Sequence, residues 1–246
     1  MRCAARSAPR GERDRPAPGA GRVRELALLA RSPRAGVAAV LAHPNVFVAF
    51  GLMSLAAVTS TLVAVRVGNA TDVNALFFAG TRQPLVQAMI DSLGPQRTAV
   101  VLYLVQRSFD AVVVATAFTP LFYWLLGSTA IHASARIAGA RPPFAPLLLL
   151  FAYAAPLTLI PANLATLALG VEPGIGAEIA TIVGYLALAW LLVIAHRAIQ
   201  LHYGVDRDRA VRILIVAVVL FYLVPLVLIV VAAVSIVVAA IVLEYF

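Results

Sequence analysis

The chain has 246 residues, of which 62% are hydrophobic and 12% charged, with one cysteine and a formal net charge of +8. Soluble proteins average about 45–50% apolar and roughly 25% charged residues, so a water-facing shell cannot be assembled from this composition. Soluble enzymes, disordered scaffolds and disulfide-stapled secreted domains are excluded, and the expected class is an all-α, polytopic membrane bundle with about five transmembrane helices.

All nineteen basic residues are arginine, and nine of them precede residue 44. Residues 1–43 hold no Phe, Tyr or Trp, so this is not the interleaved basic-aromatic pattern of a nucleic-acid surface. The charge instead suits membrane topology and attraction to anionic lipid head groups. Residues 1–22 read as a disordered basic tail, too poor in large apolar side chains to offset the entropy of ordering. Residues 23–44 read as a basic amphipathic segment broken at Pro33, suited to lying on the membrane face. Residues 45–246 form the spanning domain.

The uncharged windows within that domain are Val46–Val65, Ala111–Ile131, Pro146–Leu169, Ile175–Ala195 and Ile213–Leu243. Each is long enough to cross a hydrocarbon core of about 30 Å. The last exceeds that need, so it must tilt, kink at Pro225, project from the bilayer or turn back within it. Between the first two windows, Leu85, Val86, Met89, Ile90 and Leu93 recur at helical spacing. They describe an outer amphipathic helix ended by Gly94-Pro95. Asn69-Ala70-Thr71 on that side matches a glycosylation sequon, a tripeptide common by chance.

Segments 1–45, 132–145 and 196–212 hold fifteen arginines, and the opposite side holds Arg66, Arg82, Arg97 and Arg107. The positive-inside rule then predicts a cytoplasmic N-terminus and, after five crossings, an external C-terminus. The arginine-for-lysine bias suggests a GC-rich genome and hence the cell membrane of a prokaryote.

Chemistry-bearing patterns are sparse. His43, His132, His196 and His202 show no metal-ligand spacing and read as interfacial side chains. Asp206 and Asp208 alternate with Arg207 and Arg209, which reads as a solvated turn with an N-cap opening the last helix. Arg107 and Asp110, three apart, can form an ion pair. The expected place for it is the outer edge of the second span. At mid-membrane each charge would cost about 2.5–3.5 kcal/mol and would argue for a transporter. No nucleophile–base pair, GxSxG, HExxH or phosphate-cradling loop occurs, so neither an enzyme nor a cofactor is expected.

The stretch from Tyr123 to Leu220 resembles the Ypt-interacting protein (YIP) domain family, prokaryotic type. The segments that carry the likeness are IAGARPPFAPLLLLFAYAAPLTLIP, IVGYLALAWLLVIAHRAIQLHYG and VDRDRAVRILIVAV, with the lead-in VLAHPNVFVAF. Asp91-Ser92-Leu93-Gly94-Pro95 is similar to an element of eukaryotic members, but it lacks their tyrosine and precedes the second span. The resemblance implies a five-helix, non-enzymatic membrane protein; eukaryotic members engage small GTPases. The expected function is therefore a membrane-organising or partner-binding scaffold. Arg136, Arg141, Arg207 and Arg209 are the candidate contacts for anionic lipid or for a membrane or cytoplasmic protein. The competing reading is a permease or channel subunit, favoured by Pro156, Pro161 and Pro225. A polar cavity beside Asn163 would support transport, and a packed apolar bundle there would support a scaffold.

Overall fold

The computed structural model describes residues 20–70, 83–170 and 174–245, with no strand among them. In chain order the helices are α1 (Ala20–Arg31), α2 (Pro33–Ala42), α3 (Val46–Ala70), α4 (Gln83–Leu93) and α5 (Pro95–Ala117). A continuous helical run, α6, then joins Thr119–Leu121, a π-turn over Phe122–Leu126 and Gly127–Ile137. Next come α7 (Ala145–Leu169), α8 (Ile175–Tyr203) and α9 (Arg207–Tyr245). Five of these are long and apolar enough to cross a membrane: α3, α5, α7, α8 and α9 through Val231.

α7 is the central element, with α3 packed along one side and α8 along the other. Leu147, Leu150, Phe151, Ala152, Tyr153, Ala154 and Ala155 are all buried, and the alanines among them let neighbouring backbones come close. The start of α3 is fastened to α7. Asn45 caps α3 by accepting from the Phe47 and Val48 amides at 3.0 and 3.2 Å. Its own backbone is held by Tyr153, whose hydroxyl accepts from the Asn45 amide at 3.0 Å and donates to the Asn45 carbonyl at 2.8 Å. Trp124 on α6 donates to the Leu148 carbonyl at 2.8 Å, which ties the π-turn to the same region of α7.

α1 and α2 turn their apolar face into the bundle, against α7 and α8, rather than toward lipid. Leu29, Val37 and Val40 are fully buried in the core that also contains Ile194, Ala198 and Ile199. The hairpin depends on Gly36: a Cβ there would come within 2.3 Å of the Leu29 Cα, so any larger residue forces the helices apart. Of the expected disordered tail, residues 1–19 lie outside the described residues, while Ala20–Arg22 already belong to α1.

Three boundaries differ from those expected. The window Ala111–Ile131 is not one helix, because the backbone leaves helical geometry at Phe118 (φ −90°, ψ 0°) just before Pro120. The helix that meets the length and apolarity of a span is α5; the charge-free window left out its Arg107 and Asp110, which pair with each other. Half of segment 132–145 and most of 196–212 are helix, not loop: the true turns are 138–144 and 204–206. α8 runs on to Tyr203 because Gly204, left-handed at φ 62°, is its C-cap. α9 passes through Pro225 without interruption, so no re-entrant turn occurs there.

Candidate functional site

The turn 138–144 and the α8–α9 turn meet at one end of the bundle, and the candidate arginines gather there. Three side chains hold the first turn in place. Arg209, in the first turn of α9, donates from its guanidinium to the Ala138 carbonyl. His202, near the end of α8, donates from Nε2 to the Pro143 carbonyl at 2.9 Å. His132 on α6 places its ring 5.0 Å from that of Phe144, and its Nδ1 lies 2.9 Å from the Tyr203 hydroxyl. Asp206 accepts from the Arg209 amide at 2.8 Å, so it is the N-cap of α9 that the alternating Asp–Arg pattern suggested.

Arg136, Arg141, Arg207 and Arg209 are all exposed. Arg209 is committed to the clip, whereas Arg136 and Arg141 lie on either side of the Ala138 carbonyl it grips. Arg207 opens α9 and Arg212 follows one turn later, also exposed. The only acids beside them in this turn are Asp206 and Asp208, so the end as a whole is strongly positive. Exposed guanidinium groups on a fixed backbone can receive phosphate or carboxylate oxygens in bidentate fashion.

The histidines contribute more than their sequence positions suggested. His132 and Tyr203 are 71 residues apart, and the ring cluster they form with Phe144 and His202 leaves no short-range signal. The His132 imidazole is held below its ordinary value of 6.5, first by burial and then by the positive charge of Arg136 and the nearby His202. His196 stands apart: its Nε2 is buried and has no hydrogen-bond partner among the described residues.

Asn163 is tied to a neighbouring helix and is not part of the crevice lining. Its side-chain amide donates to Thr59 Oγ1 at 3.1 Å and Ser60 Oγ at 2.9 Å, joining α7 to α3. A crevice of about 90 Å³ lies between α6, α7, α8 and α9, and its lining includes Gly127, Phe151, Leu191, Leu214 and Phe221. Apart from the tyrosine hydroxyls at its rim, it is apolar.

Arg107 and Asp110 are brought together, with Nη1 3.3 Å from Oδ2. Gln106 donates to the other Asp110 oxygen at 2.8 Å, and Arg107 Nε donates to the Tyr103 hydroxyl at 3.1 Å. The network faces outward from α5, with the ion pair exposed. Farther along α5, Val113 lies against Gly68, two residues from the end of α3, and the first turn of α6 also packs on α3. The ion pair lies about 4–9 Å from Val113 along the helix axis.

The sequon residue Thr71 lies outside the described residues, as do Cys3, Arg82 and Phe246. No curated protein and no solved structure matches the chain. A family model described as the Yip1 domain matches residues 26–229, which takes in α3, α5, α7, α8, the clipped basic end and α9 as far as residue 229. The chain belongs to the Yip1 domain family.

Proposed function

We propose that this membrane protein is a non-enzymatic organiser of lipids or partner proteins, acting through the positive end built on the turns 138–144 and 204–206. The observation that carries the reading is the clip itself. Arg209 and His202 fix the turn that presents Arg141, so exposed arginines from α6, the turn and α9 stand on a rigid frame. Such preorganisation lowers the entropic cost of receiving an anionic head group or an acidic segment of a partner.

In this reading the positive end is cytoplasmic. Residues 23–44 cover the bundle there as an interfacial segment, the C-terminus is external, and Arg107 and Asp110 lie at the outer interface. The fifteen-to-four arginine split supports that orientation, as does the position of Val113 against the far end of α3. A permease would need a polar path through the bundle. Asn163 spends its donors on Thr59 and Ser60, which favours the scaffold. A prokaryotic cell membrane is the expected location.

Cysteine accessibility tests the orientation. Cys3 is the only native cysteine, so it is replaced and single cysteines are placed at Ser92 or Arg141. An impermeant thiol reagent on intact cells is expected to label the first and spare the second. Labelling at residue 141 reverses the orientation and removes the cytoplasmic role.

A further inference from the structure

The crevice between α6, α7, α8 and α9 and the arginines of the positive end share a line on α9. Leu214 and Phe221 line the crevice, and they are seven residues apart, nearly two full helical turns. Seven residues before Leu214 on the same face is Arg207, exposed and about 10 Å closer to the α8–α9 turn. Between them Val211 is 40% exposed on one side of the line and Ala210 is fully buried on the other, so the line follows the edge where α9 meets the core. At the other end Tyr222 is 59% exposed, and the crevice therefore opens laterally.

Each part of that line selects a different chemistry. An apolar crevice repels water; cavities on the order of 150 Å³ lined in this way stay dry and admit hydrocarbon the size of benzene. This one, at about 90 Å³ and open on one side, fits a stretch of a single chain rather than a bulky ring. Its floor is shaped for that by Gly127, where even a methyl group would already touch the Phe151 ring at 3.6 Å. Arg207 supplies a guanidinium at the distance from the apolar stretch where a lipid phosphate lies above its chains.

We propose that an acidic phospholipid of the leaflet nearest the positive end is held along α9, with its phosphate at Arg207 and one acyl chain passing Val211 into the crevice beside Leu214. The inference rests on the lipid-binding arm of the proposed function and narrows it to one ligand class and one groove. The bound chain fills space that the protein leaves open, and the charge pairing chooses acidic over neutral lipid. The rest of the positive end is left free for other partners.

The test uses the full chain in discs of phosphatidylcholine with a minority of phosphatidylglycerol, released gently and weighed by native mass spectrometry. The wild type is expected to retain one phosphatidylglycerol. Gly127→Leu with Ala217→Leu fills the crevice and should cut that retention several-fold while leaving the melting temperature unchanged or higher. Should the pair fail to fold, Leu214→Phe alone serves the same purpose. Arg207→Gln should still retain a lipid but lose the preference for phosphatidylglycerol over phosphatidylcholine. Soluble glycerol 3-phosphate should not protect against thermal unfolding.

Retention by the filled variants equal to the wild type overturns the proposal, as does full protection by glycerol 3-phosphate. An undiminished preference in Arg207→Gln overturns it too. In those cases the wider lipid reading survives if Arg136→Gln with Arg141→Gln weakens the preference. Equal retention of neutral and acidic lipid by the wild type overturns both.

Discussion

The first half of α7 and the middle of α9 are both uncharged and strongly apolar, yet the fold treats them oppositely. Leu147 through Pro156 on α7 are almost wholly buried, with α3, α6 and α8 around them. Leu223 and Val224, and Leu226 through Val231, are each at least 41% exposed. The difference lies in side-chain size and in the polar fasteners. α7 interleaves Leu150 and Phe151 with Ala152, Ala154 and Ala155, and it carries Tyr153 to anchor a neighbour. The α9 segment LVPLVLIVV is made of branched residues with no small stripe and no donor beyond the backbone. In a bilayer, apolarity alone gives no reason for helices to meet; close approach and hydrogen bonds do. One region is a packing hub and the other a surface made for lipid.

Truncation breaks this comparison most directly. Leu150→Ala is expected to cost about 2–5 kcal/mol, whereas Leu228→Ala should stay within about 0.5 kcal/mol. Thermal unfolding of both variants in one detergent would show it, and equal shifts would mean that α9 is covered as α7 is. Tyr153→Phe is the finer cut. It keeps the ring but leaves the Asn45 amide and carbonyl without that partner, a loss of about 1–3 kcal/mol. Raised protease sensitivity near residue 45 would accompany it, since the α2–α3 junction loses its tie.

The smallest effect should come from pH, and it extends the comparison to the end that α6 and α8 clip together. His132 is held below 6.5 in the fold, so the unfolded chain binds more protons than the folded one just below that pH. Stability contributed by the neutral ring is complete above about pH 6.5 and falls as the pH drops through the window beneath it. His132→Gln should flatten this part of a melting-temperature profile between neutral and mildly acidic pH. A profile unchanged by that substitution would show that His132 does not carry the transition.

How much of this was legible in the sequence depended on range. The amphipathic helix ended by Gly94-Pro95 was readable because its pattern repeats every turn, and the structure has it as Gln83–Leu93. The Asp206 cap was readable because a cap acts within three residues. The window Ala111–Ile131 missed the break at Phe118, because freedom from charge does not show where the backbone leaves helical geometry. It also stopped at Asp110, although a helix lets Arg107 and Asp110 pair across one turn and continue. The burial of Leu29, Val37 and Val40 was hidden as well, since an amphipathic face looks the same whether it meets lipid or protein.

Composition by itself determined the class of this protein: so many apolar residues and so few charges leave a bilayer as the only solvent that suits them. Local periodicity and turn chemistry determined most helices, and the order of motifs pointed to the family. Tertiary structure alone decided which apolar helix became the hub, because that depends on small residues meeting across helices far apart in sequence. It alone decided that His132, Phe144, His202, Tyr203 and Arg209 clip one turn into a rigid platform. It also decided that an apolar crevice lies in line with Arg207. Contacts between residues tens of positions apart leave no period to read, and three dimensions were needed to join them.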